Sequence, residues 1–547
     1  MRTQTFRTLL IAVALTLVFA ACESAGDDGG TTTGGDEGTA TTADPSGGEN
    51  ESEGEDQGEA ETDSTLRVAL PIDPRTLTPW TSVAQEMNVT WQIFERLVAF
   101  DEEAGEYVPA LAESLTWVDE VTLDIALRDG LVFSNGEPLD MDAVVFSMEQ
   151  VLDPEVGGVE LARRTANIDS FEAVDDSTLR INFQRAIARD LNLADLSWST
   201  YVVPPEYFQE VGYDAFSASP IGSGPFVFVD RVTDSTITLE KNPNYAGHSG
   251  VAPDFDRLEY RVLPEPGARV AALEAGDVDL VVALPIEAVE SLEAADGFEV
   301  VSIPGERIQE LQVDMLYGMS EASAKTEVRQ ALLYALDRQL IIDTVLLGQG
   351  TPVNQLATPT WSGYVESLPP LEYDPDRVQE LLTAAGYPDG LELPLYCPSG
   401  AYPKDRELCD VITSELAKVG ITAPITVLEG GAYFEAILAH EAGPLLYIGR
   451  LPPSRAAVDM MNSSLCDSAD SYKCDPVLDE MAAEARAQTN PEDYLEATEE
   501  LVRYDLADPA RIPLWTVNDV YGLSADVEGW QPQSNQVLRF WGVSISS

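Results

Sequence analysis

Two histidines, His248 and His440, and five cysteines stand among 547 residues that include 95 aspartates and glutamates. Imidazole is the readiest acid–base group near neutral pH, so catalysis here would have to rely on carboxylates, and spacing singles out no pair of them. The chain contains no H-E-x-x-H, no G-x-S-x-G, no phosphate-binding loop and no glycine-rich dinucleotide fingerprint. EF-hand loops are also missing, so the acids read as a solvated surface and not as metal ligands. This inventory predicts no enzyme, no cofactor and no metal. Four of the cysteines, Cys397, Cys409, Cys466 and Cys474, form an even set, which outside the cytoplasm predicts two disulfides from three possible connectivities. Proximity favours Cys466 with Cys474, closing the polar loop CDSADSYKC, and Cys397 with Cys409. The rival reading, a zinc site, is weakened because neither histidine lies at ligand spacing from these cysteines.

The fifth cysteine has another setting. Arg2 and Arg7 precede the apolar run Leu9 to Ala21, which ends in small residues just before Cys22. A run this short is an export signal, because a membrane span needs about 20 apolar residues. Ala20-Ala21-Cys22 resembles the end of a bacterial lipobox, whose cysteine is lipidated and becomes the mature N-terminus; Phe19 departs from its usual aliphatic residue. Residues 1–21 are therefore expected to be a lipoprotein signal. Residues 22–64, built from Gly, Thr, Ser, Asp and Glu, are expected to be a disordered acidic tether. The tether explains only a minority of the formal net charge of −64. Charge of this sign and size excludes nucleic acid as a partner. Few lysines beside so many acids predict a surface suited to high salt and a halophilic source.

Some 480 residues remain, enough for two or three compact units. Asp374-Pro375 and Asn490-Pro491 each announce a helix start, the first stopping near Gly386 and the second with Asp493 placed for a capping box. Apolar spacing predicts one long helix from Glu327 to Leu347. Strand-like runs at Leu280–Leu284 and Leu445–Ile448 alternate with helices, which points to α/β layers. In Gly222-Ser223-Gly224-Pro225 the glycines are expected at positive φ, bending the chain into a hairpin whose strands hold Phe226, Phe228, Ile237 and Leu239 across a turn from Asp230 to Ser235.

The block from Ser219 to Gly247, SPIGSGPFVFVDRVTDSTITLEKNPNYAG, resembles the signature of the peptide/nickel-type (family 5) extracellular solute-binding proteins of ABC importers. FERLVAFD at Phe94, PALAES at Pro109, LRDGLVFSNGEPLDMDAVVFS at Leu127, AALEAGDVDLV at Ala271, VRQALLYALDR at Val328, YDPDRVQELLTAAG at Tyr373, SGAYPKD at Ser399, LAKVGI at Leu416 and IPLW at Ile512 continue it in the family's order. The resemblance implies an α/β, two-lobed periplasmic-binding-protein-like fold (class II, cluster C type) with an extra N-terminal subdomain and a hinge of two chain crossings. Mapped here, lobe I takes residues 65–311 and 511–547, with the subdomain at about 106–218, and lobe II takes 312–510. The crossings are expected near Leu311–Met315 and Arg511–Thr516.

The resemblance further implies a monomeric lipoprotein on the outer face of the cytoplasmic membrane, touching the membrane through its lipid alone. It would deliver a peptide-like or other small organic solute to a permease. Oligosaccharides, a nickel chelate, or a sensory or adhesive role without transport are the alternatives. In peptide-binding members a lobe II strand ends in an aromatic and an Asp that meet the ligand; here that segment is LYIGR, with Tyr447 and, reversing the charge, Arg450. An Arg there suits an anionic group, or else neutralises neighbouring acids. Trp515, at the family's P-L-[YW] position, and Trp91, Trp361 and Tyr364 are the remaining ligand-wall candidates, each of which could equally be core.

Overall fold

The computed structural model describes residues 64–546 apart from 81–83, 103, 154–155, 157–160, 248–250 and 452–453. Cys22, the signal segment, the tether to Asp63 and His248 lie outside the described residues. Among the described residues no helix is long and apolar enough to cross a membrane.

Two large sheets organise the chain. The first runs in the order Phe298–Ile303, Asp519–Ser524, Leu280–Val281, Thr65–Leu70, Arg257–Val262, Thr236–Lys241, Phe226–Val232. The second runs Gly350–Pro352, Arg511–Val517, Ile308–Val313, Leu445–Arg450, Leu395–Ser399, Ile425–Glu429. A four-stranded antiparallel sheet, Ala112–Trp117, Thr122–Leu127, Thr178–Phe183, Ile168–Asp175, forms a separate layer. Each has its own apolar core: Leu66, Val68, Leu239 and Tyr260 in the first, Leu311, Val328, Leu395 and Leu445 in the second, Leu123, Ile125, Leu179 and Ile181 in the third. In the two central strands of the small sheet, Thr122–Leu127 and Thr178–Phe183, the buried residues alternate, as one apolar face requires.

The crossings between the large sheets differ from expectation. Ile308–Val313 pairs along its whole length with Leu445–Arg450, and with Arg511–Val517 on its other side. Residues 308–311 and 511–517 thus belong to the second sheet, and the chain passes between sheets at residues 304–307 and at Asn518. Mapping by resemblance put the first crossing, at Leu311–Met315, too late and the return, at Arg511–Thr516, too early, because a strand buried on both faces carries no mark of which sheet it joins.

The hairpin forms as expected, with Phe228 opposite Leu239, but its strands extend further: Val232 still pairs with Thr236, and Asp234 turns the chain at φ 57°. Gly222 and Gly224 do not take positive φ; what requires glycine is contact. A Cβ on Gly222 would lie 2.1 Å from the Ile93 carbonyl oxygen, and one on Gly224 2.7 Å from that of Gln92. The Gly224 amide donates to the Ile93 carbonyl at 2.8 Å, so the bend is riveted to the chain around Ile93.

Asp374 and Asn490 cap their helices through the Arg377 and Glu492 amides, at 2.9 and 2.8 Å. The long helix expected from Glu327 is broken into Thr326–Tyr334 and Arg338–Val345. Asp337 accepts from the Leu340 amide at 3.0 Å and starts a second helix, a local cap that overrides the continuous apolar spacing. Leu280–Leu284 is a strand only over its first two residues. Cys397–Cys409 and Cys466–Cys474 are disulfide-bonded, the pairing that proximity favours.

Candidate ligand-binding cleft

The strand Ile308–Val313 is the centre of the site's scaffold, and it carries acids and amides where a buried strand usually carries aliphatics. Glu310 is fully buried and gripped by two guanidiniums. Arg511 donates from Nε and Nη2 to its two oxygens at 2.8 and 2.6 Å, and Arg450 donates from Nε at 3.0 Å. Arg450 also donates to Gln312 Oε1 at 2.6 Å, to Ser463 Oγ at 2.9 Å and to Asp470. Burial alone would lower the Arg450 pKa, but Glu310 and Asp470 outweigh it and raise the value. For Asp470, burial works upward, yet Arg450 and the Ser468 and Ser463 hydroxyls outweigh it and hold the carboxyl down to about 2. The Arg450 guanidinium is committed to acids of its own sheet and its neighbouring loop, which is the neutralising role and not the grip on an anionic solute.

Tyr447 and Trp515 are also fully buried, with ring centroids 6.4 Å apart in the core of the second sheet. Trp91 lies well away in sequence beside Arg96, whose guanidinium stacks 3.8 Å from its ring. Trp361 and Tyr364, by contrast, share one cavity of about 540 Å³. Ala188, Arg189 and Asp190, from the layer of the small sheet, line the same cavity, as do Tyr494 and Glu499. Ala188 and Leu191 pack into the same apolar cluster as Trp361, Leu356 and Leu501, and the Ala188 amide donates to the Arg486 carbonyl at 2.9 Å. The structure therefore brings two of the six aromatic and basic candidates together at an interlobe cavity, and places Tyr447, Arg450 and Trp515 inside one lobe.

Sequence reasoning missed the residue that joins the lobes. Arg455, five positions beyond Arg450, donates to Glu102 Oε1 at 2.8 Å and to Ser534 Oγ at 2.6 Å, both on the first-sheet side. Its Nε lies 3.3 Å from Glu306 in the crossing segment, and its guanidinium stands 4.4 Å from the Phe100 ring. Burial pushes the Glu306 carboxyl up, and Arg455 pulls it back. Ser534 Oγ donates to Glu102 Oε2 at 2.8 Å, completing the bridge. On another edge, Lys404 pairs with Glu287. Any signal in the sequence was slight: an arginine in a proline-rich loop just past a strand end, with its carboxylate partner 353 residues away.

A cavity of this size, walled by aromatic rings and by polar groups of both signs, can hold a small organic solute. Comparison with known proteins identifies the family. The family model for bacterial extracellular solute-binding proteins, family 5 middle, matches residues 106–463. Heme-binding protein A of Haemophilus influenzae is 28% identical over 389 residues, 66% of this chain and 69% of that protein. The glutathione-binding protein GsiB of Escherichia coli is 25% identical over 370 residues, with the same coverage. Among solved structures, HbpA2 from Haemophilus parasuis superposes with a TM-score of 0.79 at 23% identity, over 88% of this chain and all of that one. NikA from Brucella suis in complex with Fe(III)-EDTA gives 0.78 at 20%, with the same coverage. These relatives are solute-binding proteins and not enzymes. With its two-lobed α/β architecture and the family match over most of its folded length, this chain belongs to the family 5 bacterial extracellular solute-binding proteins, the substrate-binding components of ABC transporters.

Proposed function

We propose that the chain is a lipid-anchored receptor that closes its lobes on a peptide-like solute bearing a carboxylate and hands it to an ABC permease. The moving bodies would be residues 64–303 with 519–546, and 308–517, hinged at the two crossings. The observation that carries this reading is the cavity of about 540 Å³ lined by Trp361 and Tyr364 together with Arg189 and Asp190. Aromatic walls bury an apolar side chain, and a guanidinium and a carboxylate side by side suit a solute with both charges. Relatives named for glutathione and heme binding support an organic solute over a bare metal ion. Arg450 offers no acidic partner for an ammonium at the strand end, so Asp190 is the candidate for that role.

Closure would be driven only by the solute's differential affinity for the closed arrangement. Native mass spectrometry of protein purified from its own source should identify the co-purifying solute. Calorimetry with that compound should then show Trp361→Ala binding at least tenfold more weakly. Unchanged affinity would place the solute elsewhere. For the anchor, labelled palmitate should enter the wild type and not Cys22→Ala, which should appear in the medium; an unlabelled wild type would remove the lipoprotein reading.

A further inference from the structure

Two buried arginines that form no ion pair with a described carboxylate share one small cavity. Arg96 follows the helix Ala84–Ile93, and Arg539 lies in the C-terminal segment. Arg96 is 7% exposed, and its Nη1 donates to the Ser197 carbonyl at 2.9 Å and the Tyr201 hydroxyl at 3.3 Å. Its Nε and Nη2 have no acceptor among the described residues. Arg539 makes one long hydrogen bond, Nη2 to the Phe100 carbonyl at 3.3 Å, and stacks 4.5 Å from the Trp541 ring and 5.8 Å from Trp91. Neither guanidinium forms an ion pair with a described carboxylate.

Both charges persist at neutral pH. Burial and the nearby Arg96 pull Arg539 down, but only to about 9. Arg455 of the interlobe bridge also acts against each of them. Glu102 offsets part of this repulsion at Arg539, and a bound counter-charge would offset the rest.

Arg96 and Arg539 line a cavity of about 30 Å³ together with Trp91, Tyr201 and Trp541. Glu95 reaches the same wall, so the lining carries one net positive charge. So small a space favours a compact anion over a bulky one. The ring edges of aromatic side chains carry partial positive charge and tolerate an anion.

We propose that Arg96 and Arg539 form a binding site for a single halide-sized anion, with chloride as the ligand supplied by the medium. The site lies wholly within lobe I and is distinct from the interlobe cavity. Its position gives it a task. Gln92 Nε2 donates to the Leu538 carbonyl at 2.8 Å, and the Leu538 amide donates to Asn88 Oδ1 at 2.8 Å, so the C-terminal segment is already stitched to the helix. The anion adds an ionic rivet to that seam and relieves the repulsion that Arg455 meets as lobe II approaches.

The test uses the full chain at matched ionic strength in sodium gluconate and in sodium chloride. The wild type should show a saturable, chloride-specific rise in melting temperature of about 2–4 °C. Arg539→Gln should lose that increment while keeping the general effect of salt. Because a variant can be compromised in folding, wild-type crystals soaked in sodium bromide provide a second readout: an anomalous peak between Arg96 and Arg539 is expected. Equal melting in the two salts, retention of the chloride increment by Arg539→Gln, or bromide crystals with no peak at this cavity would each overturn the proposal.

Discussion

Arg450 ends the strand Leu445–Arg450 and Arg455 stands five residues beyond it, and they do opposite things. Arg450 is locked among Glu310, Gln312, Ser463 and Asp470, all within the second sheet and its loops. Arg455 reaches Glu102 and Ser534 across the lobe boundary. The first set of contacts survives any hinge motion, because every partner moves with it. On the proposed closure, the second would exist only while the lobes are together. Residue type and loop position do not distinguish the two; what decides is where the partners are anchored.

The largest effect should come from breaking the locked region. Glu310→Ala leaves two buried guanidiniums facing each other and should cost about 3–5 kcal/mol in a urea melt. Arg455→Ala, in a contact exposed when the lobes part, should cost on the order of 1 kcal/mol. Equal losses would erase the distinction between lock and bridge.

A pH-dependent effect belongs to the crossing itself. Asp519, the first residue after the return crossing, has one oxygen held by Gln536 Nε2 at 2.6 Å and the other without a partner among the described residues. Burial raises its carboxyl to about 7, with Glu306 adding to the rise. The folded state therefore holds a proton that the unfolded state releases above about pH 4. Stability from this group is complete below that value and is lost as pH rises to about 7, a difference on the order of a few kcal/mol. Asp519→Asn should flatten the stability profile over that window. A profile with the same slope in both proteins would show that the carboxyl is ionised in the fold.

Local features were well marked in the sequence. Asp374, Asn490, the Phe226–Lys241 hairpin and both disulfides depend on residues close together in the chain, and the order of the short motifs carried the family. The errors arose where a distant partner decides. Gly222 and Gly224 are required by the approach of Ile93 and Gln92, not by their own torsions. The crossings were misplaced because nothing within Ile308–Val313 or Arg511–Val517, strands buried on both faces, marks which sheet they join. Arg450 and Arg455 could not be told apart because Glu310 and Glu102 lie 140 and 353 residues away. Of the cleft itself, Trp361 and Tyr364 were named as walls, whereas Arg189 and Asp190 gave no periodic or motif signal.

The central claim is that a solute bound between the lobes brings them together. Small-angle X-ray scattering of solute-stripped protein, titrated with the co-purified compound, tests it most directly. The radius of gyration should fall to a plateau with a midpoint matching the calorimetric Kd. Arg455→Ala should reach the same plateau at about tenfold higher concentration, a shift of about 1.4 kcal/mol. A radius unchanged at saturating solute would contradict capture by lobe closure.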